Sequence, residues 1–261
     1  MSARAAAGIE VRGLRKTFGE AGVTALEAVD LSIAPRQFVS VLGPSGCGKS
    51  TLLRCIAGLE VPSGGSVTVN GATVIAPPEG LGMVFQRDAL LEWRSVADNL
   101  LLPVDFRRGD RKQARARAAE LLALTGLQGF ENTYPAQLSG GMRQRVALCR
   151  ALVDDPVLLL MDEPFGALDA LTRDQMNIEL QRMWLAEHKT VVFVTHSITE
   201  AIFLGDRVVV FTPRPGRIAE VIDIDLPRPR RLALRASEKF VSYASHIRSL
   251  FEDMGLLKED A

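Results

Sequence analysis

Phe38-Val39-Ser40-Val41-Leu42-Gly43-Pro44-Ser45-Gly46-Cys47-Gly48-Lys49-Ser50-Thr51 is the stretch on which the reading of this chain turns. Its first five residues form the short apolar run of a buried strand, and residues 50–59 carry apolar side chains at helical spacing. Between them, residues 43–51 match G-x-x-x-x-G-K-[ST]. Glycines at those positions let successive backbone N–H groups turn inward around an anion, and the following helix aims the positive end of its dipole at the same point. Strand, loop and helix together make a phosphate cradle. Lys49 is expected to reach the β and γ phosphates as a point charge, and the Ser50 hydroxyl to supply one ligand to Mg²⁺. Cys47 occupies a variable position of the loop and is expected to be a bystander, a reactive thiol being the alternative.

Outward from this unit, residues Ile9–Phe18 and 31–42 are strand-like, and Asn70-Gly71 within 64–75 marks a hairpin turn. Residues 88–154 change character: Arg111–Leu124 is an amphipathic helix, and β-branched runs are few, so a helical lobe is expected there. Apolar runs at 157–161, 191–195 and 208–211 suit a buried parallel sheet, with a helical stretch at 174–187. Residues 225–231, Asp-Leu-Pro-Arg-Pro-Arg-Arg, predict an extended, solvated basic linker before a helix at 237–254. The expectation is an α/β nucleotide-binding domain over 1–225, interrupted by the helical lobe, with a short C-terminal extension over 226–261.

The 261 residues hold 31 Lys plus Arg and 31 Asp plus Glu, so no net charge draws the chain toward DNA or RNA. Nucleic acid is not expected as a partner. The 3 cysteines, Cys47, Cys55 and Cys149, lack metal-site spacing and read as reduced thiols. Apolar runs are far shorter than the ~18 residues of a spanning helix, and the N-terminus lacks a signal-peptide core.

A second constellation lies in Val157-Leu158-Leu159-Leu160-Met161-Asp162-Glu163, where an apolar strand delivers two carboxylates to its C-terminal end, the edge at which open α/β sheets bind ligands. Asp162 suits the Mg²⁺ shell, and Glu163 is the candidate general base or water-orienting group. A third is Leu138-Ser139-Gly140-Gly141-Met142-Arg143-Gln144-Arg145. Ser139, Gly140 and Gly141 at a helix N-terminus make either a second phosphate cradle or an ordinary N-cap.

Residues 138–145 resemble the LSGGQ-type signature of the ABC ATPases, with Met142 where glutamine is commonest. The resemblance implies a P-loop NTPase fold: a RecA-like core, an N-terminal antiparallel β subdomain and an inserted α-helical subdomain. It implies ATP hydrolysis with Mg²⁺. Phe18, in Lys16-Thr17-Phe18-Gly19, is similar to the aromatic that stacks on adenine. Gln86 resembles the glutamine that touches Mg²⁺ and water, His196 the switch histidine at the γ-phosphate, and Asp169, in Gly166-Ala167-Leu168-Asp169, the dimer-contact loop. Two copies are expected to sandwich two ATP molecules, phosphate loop of one against signature of the other.

The stretches at 85–99, 195–204 and 213–230 resemble the ATPases of nitrate, sulfonate, taurine and pyrimidine-precursor importers, with Glu92 departing from the usual proline. That resemblance implies two transmembrane permease subunits, indirectly an extracytoplasmic solute-binding protein, and a peripheral place on the cytoplasmic face of the inner membrane. Trp93 is the candidate docking anchor; the alternative is a core tryptophan. An ABC-type ATPase of a non-transport complex or of an exporter stays open. A phosphate-loop kinase or GTPase leaves Ser139, Gly140 and Gly141 unexplained.

Overall fold

The computed structural model describes residues 6–19, 22–166 and 168–257; Ala167 of the expected dimer-contact stretch lies outside the described residues. The fold is α/β: mixed sheets with helices packed against them. In chain order the elements are β1 (Ile9–Phe18), β2 (Val23–Ile33), β3 (Phe38–Leu42), α1 (Lys49–Ile56), β4 (Gly64–Val69), β5 (Ala72–Thr73) and β6 (Leu81–Val84). Helices α2 (Val96–Arg107), α3 (Arg111–Leu124) and α4 (Gly140–Leu152) follow without an intervening strand. Then come β7 (Leu158–Asp162), α5 (Ala170–Glu187), β8 (Thr190–Thr195), α6 (Ile198–Leu204), β9 (Arg207–Phe211), β10 (Ile218–Asp223) and α7 (Glu238–Asp253).

A 6-stranded sheet runs β10-β9-β3-β8-β7-β6, and a 4-stranded antiparallel sheet runs β2-β1-β4-β5. Strands β9, β3, β8, β7 and β6 are mutually parallel, and β10 closes the edge antiparallel to β9. Each central strand is apolar on both faces because each face has its own core. From β3, Phe38 and Leu42 join one cluster and Val39 and Val41 the other; Leu159 and Met161 of β7 oppose Leu158 and Leu160 in the same way. The alternation is the two-residue period of a strand, written in residues that are all buried. The first cluster gathers α2 to α7, and the second gathers α1 and the antiparallel sheet.

The expected single strand-like run at 31–42 is two strands. Gln37 N donates to Ala34 O at 3.2 Å across Pro35-Arg36, and Arg36 sits at φ 66, so a turn with proline at its second position separates β2 from β3. The hairpin at Asn70-Gly71 holds: φ is 51 and 78, as the turn of a tight hairpin requires. Helix α3 buries Ala114, Ala118, Leu121 and Leu122, one stripe of its surface.

The solvated basic linker is overturned. Arg230 is 3% exposed, and its guanidinium donates to the carbonyls of Ile202 and Gly205 at 2.7 Å and of Phe203 at 3.1 Å. Arg228 donates to Asp206 and to Leu204 O, and stacks 4.3 Å above the Trp184 ring. These arginines saturate carbonyls at and just beyond the C-terminal turn of α6, where the helix dipole favours a cation. Of the cluster, Arg231 is the exposed member.

Candidate functional site

The phosphate loop leaves β3 and enters α1 through Gly48, whose φ of 108 only glycine adopts freely; a Cβ there would lie 2.6 Å from Ala25 O. Ser45 and Gly46 form the exposed tip, and Thr51 is half-buried in the first turn of α1. Lys49, only 4% exposed, donates from Nζ to Gly43 O and Pro44 O, both at 2.9 Å. The loop is backed by a strap from far along the chain. Gly216 N donates to Ala25 O at 2.9 Å, Glu27 N donates to Gly216 O at 3.0 Å, and Arg214 Nε donates to Gly46 O at 3.2 Å. A Cβ on Gly216 would stand 2.0 Å from Cys47 O, so nothing larger than glycine passes beneath the loop.

Burial holds all three thiols above their ordinary range: Cys47 despite the neighbouring Lys49, Cys55 at about 11 and Cys149 at about 12. All are free and buried. A disulfide-exchange titration of the native chain at pH 8 is therefore expected to consume none of the 3 thiols within minutes, and all 3 in urea. One fast thiol in the folded chain would place Cys47 in contact with solvent and sink this reading.

Asp162 and Glu163 end β7 beside the loop. Ser50 Oγ donates to Asp162 Oδ1 at 2.8 Å. Burial raises the Asp162 carboxyl above its usual range, the Ser50 hydrogen bond opposing. The pair offers two hard oxygens at the mouth of an anion cradle. That set fits Mg²⁺, which takes one or two protein oxygens and otherwise water and phosphate. Among the described residues no group of 3 or more His, Cys, Asp or Glu forms an all-protein cage.

Glu163 is the point of convergence. Its Oε1 lies 3.7 Å from Lys49 Nζ. Its Oε2 accepts from Gln86 Nε2 at 3.4 Å and lies 3.2 Å from His196 Nδ1. Its backbone sits at φ 45, a costly region for a non-glycine residue, and its N–H is held by Val194 O at 3.0 Å. Strands β3, β6, β7 and β8 thus deliver Lys49, Gln86, Glu163 and His196 to one edge of the sheet.

Ser139 caps α4, accepting from Met142 N at 3.3 Å. Gly140 is exposed beside it, and Gly141 packs on α5, where a Cβ would lie 2.9 Å from Thr172 Cγ2. Asp169 caps α5 through Thr172 N at 3.0 Å, a bond that lowers its pKa. Among the described residues, no hydrogen bond or ion pair joins Ser139, Gly140 or Gly141 to the 43–51 loop. Phe18 stands apart, exposed at the end of β1 with Lys16 Nζ 4.8 Å above its ring.

The resemblance implied that Gln86 connects to the helical lobe; the residues that make the connection to the signature helix, just past Gln86, were not named from the sequence. Arg143 Nε donates to Asp88 Oδ2 at 3.0 Å, and Arg150 donates to Asp88 O at 2.7 Å and Ala89 O at 2.6 Å. Two arginines seven residues apart share a helix face, and an acid two residues past Gln86 was the signal that pointed to them. A cavity of about 710 Å³ lies elsewhere, lined by Val104, Asp110, Arg117, Glu120, Asp154 and Glu187. Its Arg117 pairs with Glu120 and Glu187.

Residues 26–166 match the model of the ABC transporter family. The chain is 47% identical over 246 residues to the taurine import ATP-binding protein TauB of Rhizobium johnstonii, covering 92% of this chain and 93% of that one. It is 46% identical over 247 residues to an uncharacterised ABC transporter ATP-binding protein of Methanocaldococcus jannaschii, covering 94% and 91%. Among solved structures, the dimeric post-hydrolysis state of an ATP-binding cassette bound to ADP and Pi superposes with a TM-score of 0.74 at 34% identity, over 84% of this chain and 100% of that one. A matched family model over more than half the chain, near full-length relatives and a nucleotide-binding edge of the expected composition agree: the chain belongs to the ABC transporter family, as an ATP-binding subunit and an ATPase.

Proposed function

We propose that this chain energises a membrane importer for a small solute of the nitrate, sulfonate or taurine type, on the cytoplasmic face of the inner membrane. The observation that carries the reading is the convergence of Lys49, Gln86 and His196 on Glu163 beside the phosphate loop. Lys49 and the N-terminus of α1 neutralise the triphosphate, Phe18 stacks on the base, and Glu163 takes the proton of the attacking water. Gln86 and His196 hold that carboxylate and orient the water and the γ-phosphate. Ser50 and Asp162 would hold Mg²⁺, which would supply charge neutralisation at the triphosphate.

Two copies dock head to tail, the Ser139–Gly140–Gly141 cradle of each reaching the triphosphate held by the other, with the Asp169 loops between them. The dimeric solved cassette supports this arrangement. Residues 88–154 form the lobe that meets the permease. Trp93 is 75% exposed and Phe106 81%, which removes the core alternative for Trp93 and leaves apolar surface for two permease subunits served by an external solute-binding protein. No helix among the described residues is long and apolar enough to cross a membrane. The names of the taurine-import relatives support the solute class.

Tagged at its terminus and recovered from detergent-solubilised membranes of its own cells, the chain is expected to bring two membrane-spanning subunits with it. Recovery wholly from the soluble fraction, free of membrane proteins, would overturn the importer reading. Loss of taurine or nitrate uptake on deleting the gene separates the solutes.

A further inference from the structure

Two loops of the site are tied together by an ion pair, one partner buried and the other half-buried, to which the phosphate chemistry gives no task. Glu200, in the first turn of α6, is 5% exposed, and its Oε2 accepts from Thr195 Oγ1 at 2.6 Å. Thr195 ends β8 directly before His196, and its Oγ1 accepts from Ser197 N at 3.0 Å, so this hydroxyl bridges the backbone on either side of the histidine. The other oxygen of Glu200 lies 3.5 Å from Arg173 Nε in the first turn of α5. That nitrogen is shielded from solvent and makes no hydrogen bond, which leaves Glu200 as its ionic partner. Arg173 Nη2 donates to Leu168 O at 2.9 Å.

Leu168 and Asp169 close the loop that Glu163 opens. His196 is therefore referred to that loop twice. It meets Glu163 directly at 3.2 Å, and it is connected through Thr195, Glu200, Arg173 and Leu168 to the loop's far end. The imidazole itself is about half exposed and among the described residues has only Glu163 as a hydrogen-bonding partner, so the route through Thr195 and Glu200 is what holds its backbone. Stability gives little reason for the pair: burial raises the Glu200 carboxyl, the Thr195 hydrogen bond and Arg173 only partly opposing, and solvent at the half-buried arginine screens the ion pair.

We propose that Glu200 and Arg173 are positioning residues for ATP hydrolysis. Their bridge sets the His196 loop against the loop from Glu163 to Asp169, so that displacement of Asp169 by a docking second copy moves His196. This inference rests on the function proposed for the site. In steady-state turnover by the full-length chain, Glu200→Gln and Arg173→Met are each expected to lower kcat ~10-fold while KM for ATP stays within ~2-fold. The double variant should be no slower than the slower single, because both cut one connection. Arg173→Lys should regain part of the rate, since an ammonium still pairs with Glu200.

Unaltered kcat in folded Glu200→Gln, or single losses that multiply in the double variant, overturn the bridge. Melting temperatures of the same preparations identify any variant that fails to fold. Should Glu200→Gln be one, Arg173→Met against Arg173→Lys decides: equal rates for the two overturn the proposal, and a faster lysine variant supports it. Glu163→Gln, measured alongside, separates the two levels. If it turns over like the parent, the reading of the site has failed; if it is inactive while the bridge variants are normal, only the bridge has.

Discussion

Glu163→Gln is expected to slow ATP turnover by ~10²–10⁴-fold, the range over which a positioned general base contributes, while leaving ATP binding intact. The carboxylate lies 3.7 Å from Lys49, 3.4 Å from Gln86 and 3.2 Å from His196, so every neighbour is arranged around an acceptor that glutamine keeps in shape and loses in basicity. Glutamine also removes a negative charge from beside the triphosphate, so affinity for ATP should hold or rise. With binding kept and hydrolysis stopped, ATP-bound pairs of the chain accumulate, visible as an ATP-dependent shift to twice the mass in size-exclusion chromatography. Turnover within ~3-fold of the parent, or a chain that stays monomeric with ATP, removes Glu163 from its role.

The second large effect is on stability and lies far from the nucleotide. Arg230→Met is expected to cost ~3–5 kcal/mol, because it strips several buried carbonyls of a charged donor at once. The guanidinium satisfies the carbonyls of Ile202, Phe203 and Gly205, with longer contacts to Ile224 and Leu226 at 3.4 Å. Methionine fills much of the volume but leaves those buried acceptors unpaired, and each unpaired acceptor carries ~1–3 kcal/mol of desolvation. Burial does press on the arginine, lowering its pKa to about 10, so it remains charged through the physiological range. Thermal unfolding should therefore shift down by ~6 °C or more, whereas Arg231→Met, on the exposed member of the cluster, should move it little. A shift for Arg230→Met no larger than that for Arg231→Met would return the segment to the status of a linker.

What was readable in the residue order is what local chemistry writes locally. The phosphate loop and the acid pair at the end of β7 each declare themselves within ten residues, the histidine after β8 only through the family resemblance, and the sheet edge gathers them because apolar strands precede all three. The beginning of β2 was not readable. Ala25 and Leu26 are both buried and Ala28 sits at φ 50, so the alternation changes phase in mid-strand and its period is hidden. The burial of Arg228 and Arg230 was hidden for a different reason. A proline-interrupted basic run has a solvated composition, and only the open carbonyls at the end of α6 convert it into a buried anchor. The Thr195–Glu200–Arg173 route was likewise out of reach, since Glu200 and Arg173 come from helices on either side of β8.

The strap under the phosphate loop has a consequence for the order in which the protein comes into being. Gly46 and Arg214, joined across the loop, are 168 residues apart in the chain. A polypeptide still emerging from the ribosome displays its phosphate-binding motif long before Arg214 and Gly216 arrive to underpin it. During translation, competence to grip nucleotide should thus come late and abruptly, on release of the last strands, so that half-made copies neither consume ATP nor pair prematurely.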